Sequence, residues 1–287
     1  MKVLIAGCGW LGRAVGRALI ERGEAVVGVR RTPEGRGELE SIGIEPLILD
    51  LAAPGAAGSL PDDVDAIVAC PAPRASGVEA YTRAYVVALR TLLDGYRDRG
   101  LKGFVYTSST GVFGQDDGGD VDESTTPSPA TGTARVLVVA EKQVLTAARE
   151  GSTPARVVRL SGLYGPERFG VIDRVRQGRL GLGPGDETWM NFCHREDAAR
   201  TVVAALDRGR AGAIYHASDA HPVRRRDLTV WIAERLGIDP PVLPAEAKAP
   251  AGADRRIHAS WTRAGLGIAL AYPSFREGLV EGFSSPP

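Results

Sequence analysis

Cysteine, methionine and lysine are scarce in this chain of 287 residues, and it carries no net charge. The three cysteines, Cys8, Cys70 and Cys193, fall in no CxxC or Cys/His spacing. That excludes a disulfide framework and a structural zinc, and predicts reduced thiols and no metal site. With 35 Lys+Arg against 35 Asp+Glu, nothing electrostatic draws the chain to nucleic acid. Arginine outnumbers lysine 31 to 4, but the arginines are scattered and form no basic tail. No apolar run approaches the ~20 residues of a membrane span, and the amino-terminal run is too short and too soon broken by glycine for a signal peptide. The expectation is a cytoplasmic protein with neither a nucleic-acid nor a membrane partner.

What is present is an ordinary globular composition, 44% hydrophobic and 24% charged, over a length that buries a full core as one large or two smaller domains. Short apolar runs at Lys2–Ala6, Ala25–Val29, Glu45–Leu49, Asp65–Cys70, Lys102–Thr107 and Arg156–Leu160 alternate with helical or linker stretches. The longest helices are predicted over Tyr81–Arg99 and Thr133–Arg149. Such alternation implies a parallel sheet covered on both faces, an α/β fold of the doubly wound Rossmann type. Gln115–Thr133 lacks apolar periodicity and reads as a long loop of the lid kind. Beyond Leu160 the alternation weakens. Helices near Glu196–Arg208 and Arg226–Leu236, a strand near Ala213–Ala217 and a Pro/Ala-rich surface connection over Asp239–Gly252 suggest a smaller α/β lobe, partly interwoven with the first. The predicted division is a dinucleotide-binding domain over 1–162 and a substrate lobe over 163–287, part of which returns to the main sheet.

The first turn carries the strongest signal. Gly7-Cys8-Gly9-Trp10-Leu11-Gly12 follows a strand and opens a helix. In that context Gly7 permits the tight turn, Gly9 lets the backbone approach a pyrophosphate, and Gly12 allows close helix–strand packing. The helix start offers free N–H groups and a positive dipole end. After the second strand, where an acidic residue would select NAD, stand Arg30-Arg31-Thr32. Two guanidiniums there suit a 2′-phosphate, so the cofactor expected is NADP rather than NAD. Asp50 is the candidate for the adenine edge, and Cys70, Pro71 and Ala72 for the cofactor's midsection.

With these residues the chain resembles the extended short-chain dehydrogenase/reductase family, in an atypical epimerase/dehydratase-like subgroup. The similarity rests also on Val105-Tyr106-Thr107-Ser108-Ser109 with Val112-Phe113-Gly114, on Glu123 and Pro127, on Arg159 with Leu163-Tyr164-Gly165-Pro166, and on Asn191 to Asp197. The resemblance implies that Ser109 holds the substrate's hydroxyl or carbonyl, with Thr107 counted among the cofactor contacts. It also implies a tyrosine acid/base four residues before a lysine. None of the seven tyrosines has a lysine at that spacing; Thr131 and Arg135 stand at the matching positions. A threonine hydroxyl is too weak an acid for that task, and Arg135 is left to bind the nicotinamide ribose or a substrate phosphate. Substitutes for the acid are Tyr164, His194, Asp116, Asp117 and Glu123. Arg156, Arg159, Arg168, Arg174, Arg176 and Arg179 form a candidate diphosphate cluster, and Trp189 and Met190 are assigned to packing between the lobes.

The function so implied is an NADP-dependent oxidoreductase or epimerase on a small sugar-like or nucleotide-sugar-like substrate. A cofactor-binding sensor or partner subunit without turnover is the alternative. The four consecutive apolar residues Val136–Val139 exceed what one sheet face can cover, which predicts a homodimer through the two long helices.

Overall fold

The computed structural model describes residues 1–247 and 254–284; the end of the connection expected over Asp239–Gly252 lies outside them. Seven strands form one parallel sheet: β1 (Lys2–Ala6), β2 (Ala25–Arg30), β3 (Glu45–Ile48), β4 (Ala66–Ala69), β5 (Gly103–Ser109), β7 (Ala155–Leu160) and β11 (Ile214–Ala217). Their order is β11-β7-β5-β4-β1-β2-β3. Short pairs lie outside it: β6 (Gly119–Val121) with β13 (Arg255–Ile257), β8 (Gly162–Tyr164) with β10 (Phe192–His194), and β9 (Trp189–Met190) with β12 (Val223–Arg224).

The central strand shows why the sheet is covered on both sides. Val3, Leu4 and Ile5 are all fully buried. Side chains alternate along a strand, so Val3 and Ile5 join the cluster containing Val15 and Leu19 of α1 (Trp10–Ile20) and Val202 of α7 (Arg195–Arg208). Leu4 and Ala6 face the other way, into the cluster of Leu92 of α4 (Ala88–Gly95) and Ala140 and Val144 of α5 (Gly132–Arg149). A continuous apolar strand needs two apolar helical layers, and the chain provides them.

Two elements from beyond residue 162 belong to this body. β11 pairs in parallel with β7, and α7 packs on α1. The remaining helices relevant to the site are α2 (Arg36–Glu40), α3 (Val78–Tyr81), α6 (Gly170–Arg176) and α8 (Arg225–Leu236). A separate small core of Tyr164, Ile172, Val175, Leu228, Ile232 and Phe275 holds α6 and α8 together.

The segment expected as a bare loop over Gln115–Thr133 contains β6, whose register runs from Gly119 opposite Arg255 to Val121 opposite Ile257. Two of its candidate acids serve the fold: Glu123 accepts from the Thr262 hydroxyl and N–H, and Asp117 from the Gly119 N–H. The helix expected over Tyr81–Arg99 starts earlier, at Val78, and passes through a wide π-helical stretch at Thr82–Val87 before α4. Among the described residues no helix is long and apolar enough to cross a membrane.

Candidate functional site

The strand order reverses between β1 and β4, and a cavity of about 330 Å³ opens at the carboxyl ends of these strands. Gly7, Cys8 and Gly9 form one wall, and Cys70, Pro71 and Ala72 another. Gly7 has φ +85°, and a Cβ on it would lie 2.4 Å from the Cys70 carbonyl oxygen. At Gly12 a Cβ would meet the Gly7 carbonyl at 2.9 Å. Both positions require glycine to hold strand, turn and helix together. At Gly9 a Cβ meets nothing closer than 4.0 Å, so the space beside it is open. The amides of Trp10, Leu11 and Gly12 form the first turn of α1, where helical N–H groups have no partner four residues back. Their side chains do not face the cavity: Trp10 and Leu11 are buried, and the Trp10 indole N–H donates to the Pro166 carbonyl at 2.8 Å.

The far end of the cavity is cationic. Arg30, Arg31, Arg74 and Arg83 line it, and Asp50 is the single acidic residue among the described residues that line the cavity; Arg168 lines the cavity as well. Asp50 is already engaged, accepting from Arg83 at 2.6 Å and from the Ala52 N–H at 3.0 Å. Its burial, which opposes ionisation, is outweighed by those contacts, and its carboxyl sits below the usual range. Arg30 has Glu38 of α2 within 3.7 Å, and Arg13 reaches both Glu38 and Glu167. Burial pushes the Cys8 and Cys70 thiols up to about 12, which leaves them protonated wall residues rather than nucleophiles. An anionic dinucleotide fits this cavity: it has an open glycine turn at one end and guanidiniums at the other.

A second cleft of about 600 Å³ runs beside it, lined by Gly162, Leu163, Tyr164, Arg168, Gly170, Val171, Arg174, Trp189, Met190, Asn191 and Phe192. Trp189 and Met190, assigned from the sequence to packing, line this cleft.

The other residues singled out in the sequence are placed as follows. Ser109 ends β5, and its hydroxyl accepts the Gly111 N–H at 3.0 Å, capping a short turn. Thr107 is buried and donates to the Ala69 carbonyl, behind the cavity wall. Thr131 is the N-cap of α5, accepting the Ala134 N–H at 3.1 Å, and Arg135 is exposed. Neither lines the cavity or the cleft. Tyr164 borders the cleft by its ring, but its hydroxyl donates inward to the Ser274 carbonyl at 3.3 Å, and burial raises its pKa far above the usual phenol value. His194 caps α7 through Nδ1, stacks on Tyr272 at 3.6 Å, and is held by burial at about 4.

The arginine cluster divides along β7. Arg156 and Arg159 are three residues apart, so they leave opposite faces of the strand. Arg156 reaches the Leu206 carbonyl on the α7 side, and Arg159 pairs with Glu141 on the α5 side. Both are buried in the sheet's covering layers and unavailable to a diphosphate. Arg176 pairs with Asp173. Arg168 and Arg174 alone of the six line the cleft.

Sequence reasoning missed Arg74 and Arg83 in the cavity. Arg74 directly continues the turn Cys70–Pro73, a signal that could have found it; Arg83, a charged residue within the helix predicted over Tyr81–Arg99, gave none. Tyr81 and Tyr85 belong to the helix predicted over Tyr81–Arg99, Tyr85 on its apolar side. Their rings lie 5.3 Å apart and pack against Leu137 near the start of α5. Burial, with the Tyr81 phenol and Cys70 thiol beside it, pushes Tyr85 up to about 12.

Residues 3–218 match the NAD dependent epimerase/dehydratase family. The chain is 31% identical over 251 residues to protein YeeZ of Escherichia coli (strain K12), covering 84% of this chain and 85% of that one. It is 29% identical over 246 residues to 4-hydroxy-2-methyl-3-oxo-4-farnesyl-3,4-dihydroquinoline-1-oxide ketoreductase of Stigmatella aurantiaca, covering 81% and 72%. The dTDP-glucose 4,6-dehydratase DesIV of Streptomyces venezuelae, a structure with NAD bound, shares the fold at TM-score 0.83 and 23% identity, over 99% of this chain and 96% of that one. With the glycine turn, the reversal point of the sheet and the family match in agreement, this chain belongs to the NAD-dependent epimerase/dehydratase family of NAD(P)-linked oxidoreductases and epimerases.

Proposed function

We propose that this protein is an NADP-preferring oxidoreductase or epimerase acting on a small carbonyl or sugar-like substrate that carries phosphate. The single observation behind the cofactor choice is the cationic cavity end, where Arg30 and Arg31 stand with Arg74, and Asp50, the one carboxylate among the described residues that line the cavity, is held by Arg83. A carboxylate free to bind ribose hydroxyls is what an NAD-selective site would present there. When bound, the dinucleotide supplies a hydride donor or acceptor at its nicotinamide ring. The chain's own groups bind and orient: the α1 turn and Gly9 take the diphosphate, Arg30 and Arg31 the 2′-phosphate, and Ser109 the reacting oxygen once its hydroxyl leaves the Gly111 amide.

The substrate reading draws on the second cleft. Arg168 and Arg174 line it, and near Arg174 lies Arg225, 5% exposed, with Nε and Nη1 lacking hydrogen-bond partners. Burial, with Arg174 beside it, lowers the Arg225 pKa from the usual guanidinium range. Buried donors of this kind call for an anion. A nucleotide sugar, as in the dTDP-glucose dehydratase, carries one, and the ketoreductase supplies the precedent for a carbonyl substrate among relatives.

One observation favours a second reading, binding without turnover. The Thr131 hydroxyl is committed to capping α5 and Arg135 points to solvent, so the acid/base pair of the family has no counterpart at those positions. The experiment that separates the two follows NADPH oxidation across a panel of ketones, sugar nucleotides and their keto derivatives, with Ser109→Ala beside the wild type. Turnover lost in Ser109→Ala supports the enzyme; NADPH binding without turnover anywhere in the panel supports the binding protein.

The assembly proposed is a homodimer. Of the Val136–Val139 run, Val139 is 48% exposed, and Val78 and Val87 are exposed on the neighbouring helix. In the proposed dimer these exposed valines are the apolar side chains that the second copy covers.

A further inference from the structure

Arg168 lines the cofactor cavity, the substrate cleft, and a smaller opening between Gly9, Arg13 and Glu38. Its backbone is tied down. Gly165 and Arg168 exchange backbone hydrogen bonds at 3.3 and 2.8 Å, and the turn between them holds Glu167 at φ +72°, a conformation that costs energy for any residue but glycine. Trp10 anchors the turn to α1 through its bond to the Pro166 carbonyl. The Arg168 guanidinium then lies over the Trp10 ring, 4.5 Å from its centre. Glu167, next in the chain, is taken by Arg13 and Arg195, so Arg168 has no carboxylate partner among the described residues.

An unpaired cation on a fixed turn, resting on an aromatic face between two anion-seeking spaces, has a specific use. We infer that Arg168 is a shared anion ligand: it contacts the dinucleotide's diphosphate beside Gly9 and faces the phosphate of the substrate across the same wall. The inference rests on the proposed function for the existence of those two ligands. A guanidinium presents five donors in a rigid fork, enough to serve an anion on either side. Arg168 therefore acts as a positioning residue that couples cofactor and substrate occupancy.

The consequence differs from that of the other arginines. Arg30 meets only the 2′-phosphate, which NADH lacks, whereas the diphosphate is common to both cofactors. Arg168→Gln is expected to weaken NADPH and NADH alike, by about tenfold, the loss of one charge-assisted contact at a partly exposed site. Arg30→Ala should weaken NADPH alone, and Arg174→Gln should weaken only the cleft ligand.

The test is calorimetric titration of the full-length protein with NADPH, with NADH, and with inorganic pyrophosphate as the cleft probe, the last in the absence and presence of saturating NADPH. In Arg168→Gln, pyrophosphate affinity should fall further when NADPH is bound than when it is not, and Arg168→Lys should recover part of both losses. Cofactor affinity unchanged in Arg168→Gln, or a loss that NADPH occupancy does not deepen, would overturn the shared role while leaving the dinucleotide site intact. A wild type that binds neither cofactor would overturn the functional reading itself, and the shared role with it.

Discussion

Arg159 and Glu141 meet in a two-pronged ion pair, Nε to Oε1 at 3.0 Å and Nη2 to Oε2 at 2.8 Å, with 1% and 3% of their side chains exposed. The pair joins β7 to α5, the helix that Thr131 caps and that carries Arg135. The Arg159 guanidinium also rests 4.9 Å from the centre of the Phe113 ring. Removing one partner strands a buried charge, at a cost of about 3–5 kcal/mol. Glu141→Ala should therefore lose about that much stability in urea unfolding, whereas Glu141→Leu combined with Arg159→Met should recover most of it. A loss under about 1 kcal/mol in Glu141→Ala would mean that water relieves the exposed charge.

Gly7 and Gly9 should respond in opposite ways to substitution. Gly7→Ala forces a side chain onto the Cys70 carbonyl at a positive φ and should lower the thermal midpoint markedly. Gly9→Val has room in the empty protein but fills the space offered to the diphosphate. It should fold like wild type and bind neither NADPH nor NADH. Thermal melting and cofactor titration of the two variants check both halves, and Gly9→Val with undiminished binding would refute the placement of the diphosphate.

Asp219 sets a pH dependence. Burial pushes its carboxyl up to about 8, with Glu277 and Asp197 adding to the rise and the His221 amide and Arg263 opposing it. Its Oδ1 accepts the His221 N–H at 3.2 Å, while Oδ2 is buried without a partner. Unfolded, the group ionises near about 3.9. Between those values the folded state holds a proton that the unfolded state has released. The contribution is full below about pH 4 and is lost as pH rises through about 8. Asp219→Asn cannot ionise, so its stability relative to wild type should increase from about pH 5 to about pH 9. A difference that stays constant across that range would contradict the assignment.

The exposed Val78, Val87 and Val139 are expected to lie in the interface of the proposed dimer. Val87→Glu with Val139→Glu is expected to run as a monomer in light scattering at micromolar concentration while keeping the wild-type far-ultraviolet spectrum. A monomeric wild type would refute the proposed dimer.

Local signals and distant ones were unequally legible. The glycine turn and β1 could be read because strand, turn and helix start are contiguous and each uses residues with few alternatives. β6 was hidden: Gly119–Val121 is three residues long, and its partner Arg255–Ile257 lies far along the chain. Arg168 was placed in a diphosphate cluster by its neighbours in sequence, yet its position beside Gly9 depends on the Trp10–Pro166 contact, which no local pattern encodes. The same holds for Arg156 and Arg159, whose apparent kinship in sequence is undone by the alternation of the strand that carries them. Thr131 illustrates a competition of roles: a threonine before a helix is a natural cap, and capping consumed the hydroxyl that a catalytic reading needed.

The most direct measurement is titration of the wild-type protein with NADPH and with NADH under identical salt. NADPH should bind at least about tenfold more tightly, and Arg30→Ala should bring the two affinities together by weakening NADPH alone. Equal affinities in the wild type, or an NADH preference that persists in Arg30→Ala, would contradict the claim that the cationic end of the cavity recognises a 2′-phosphate.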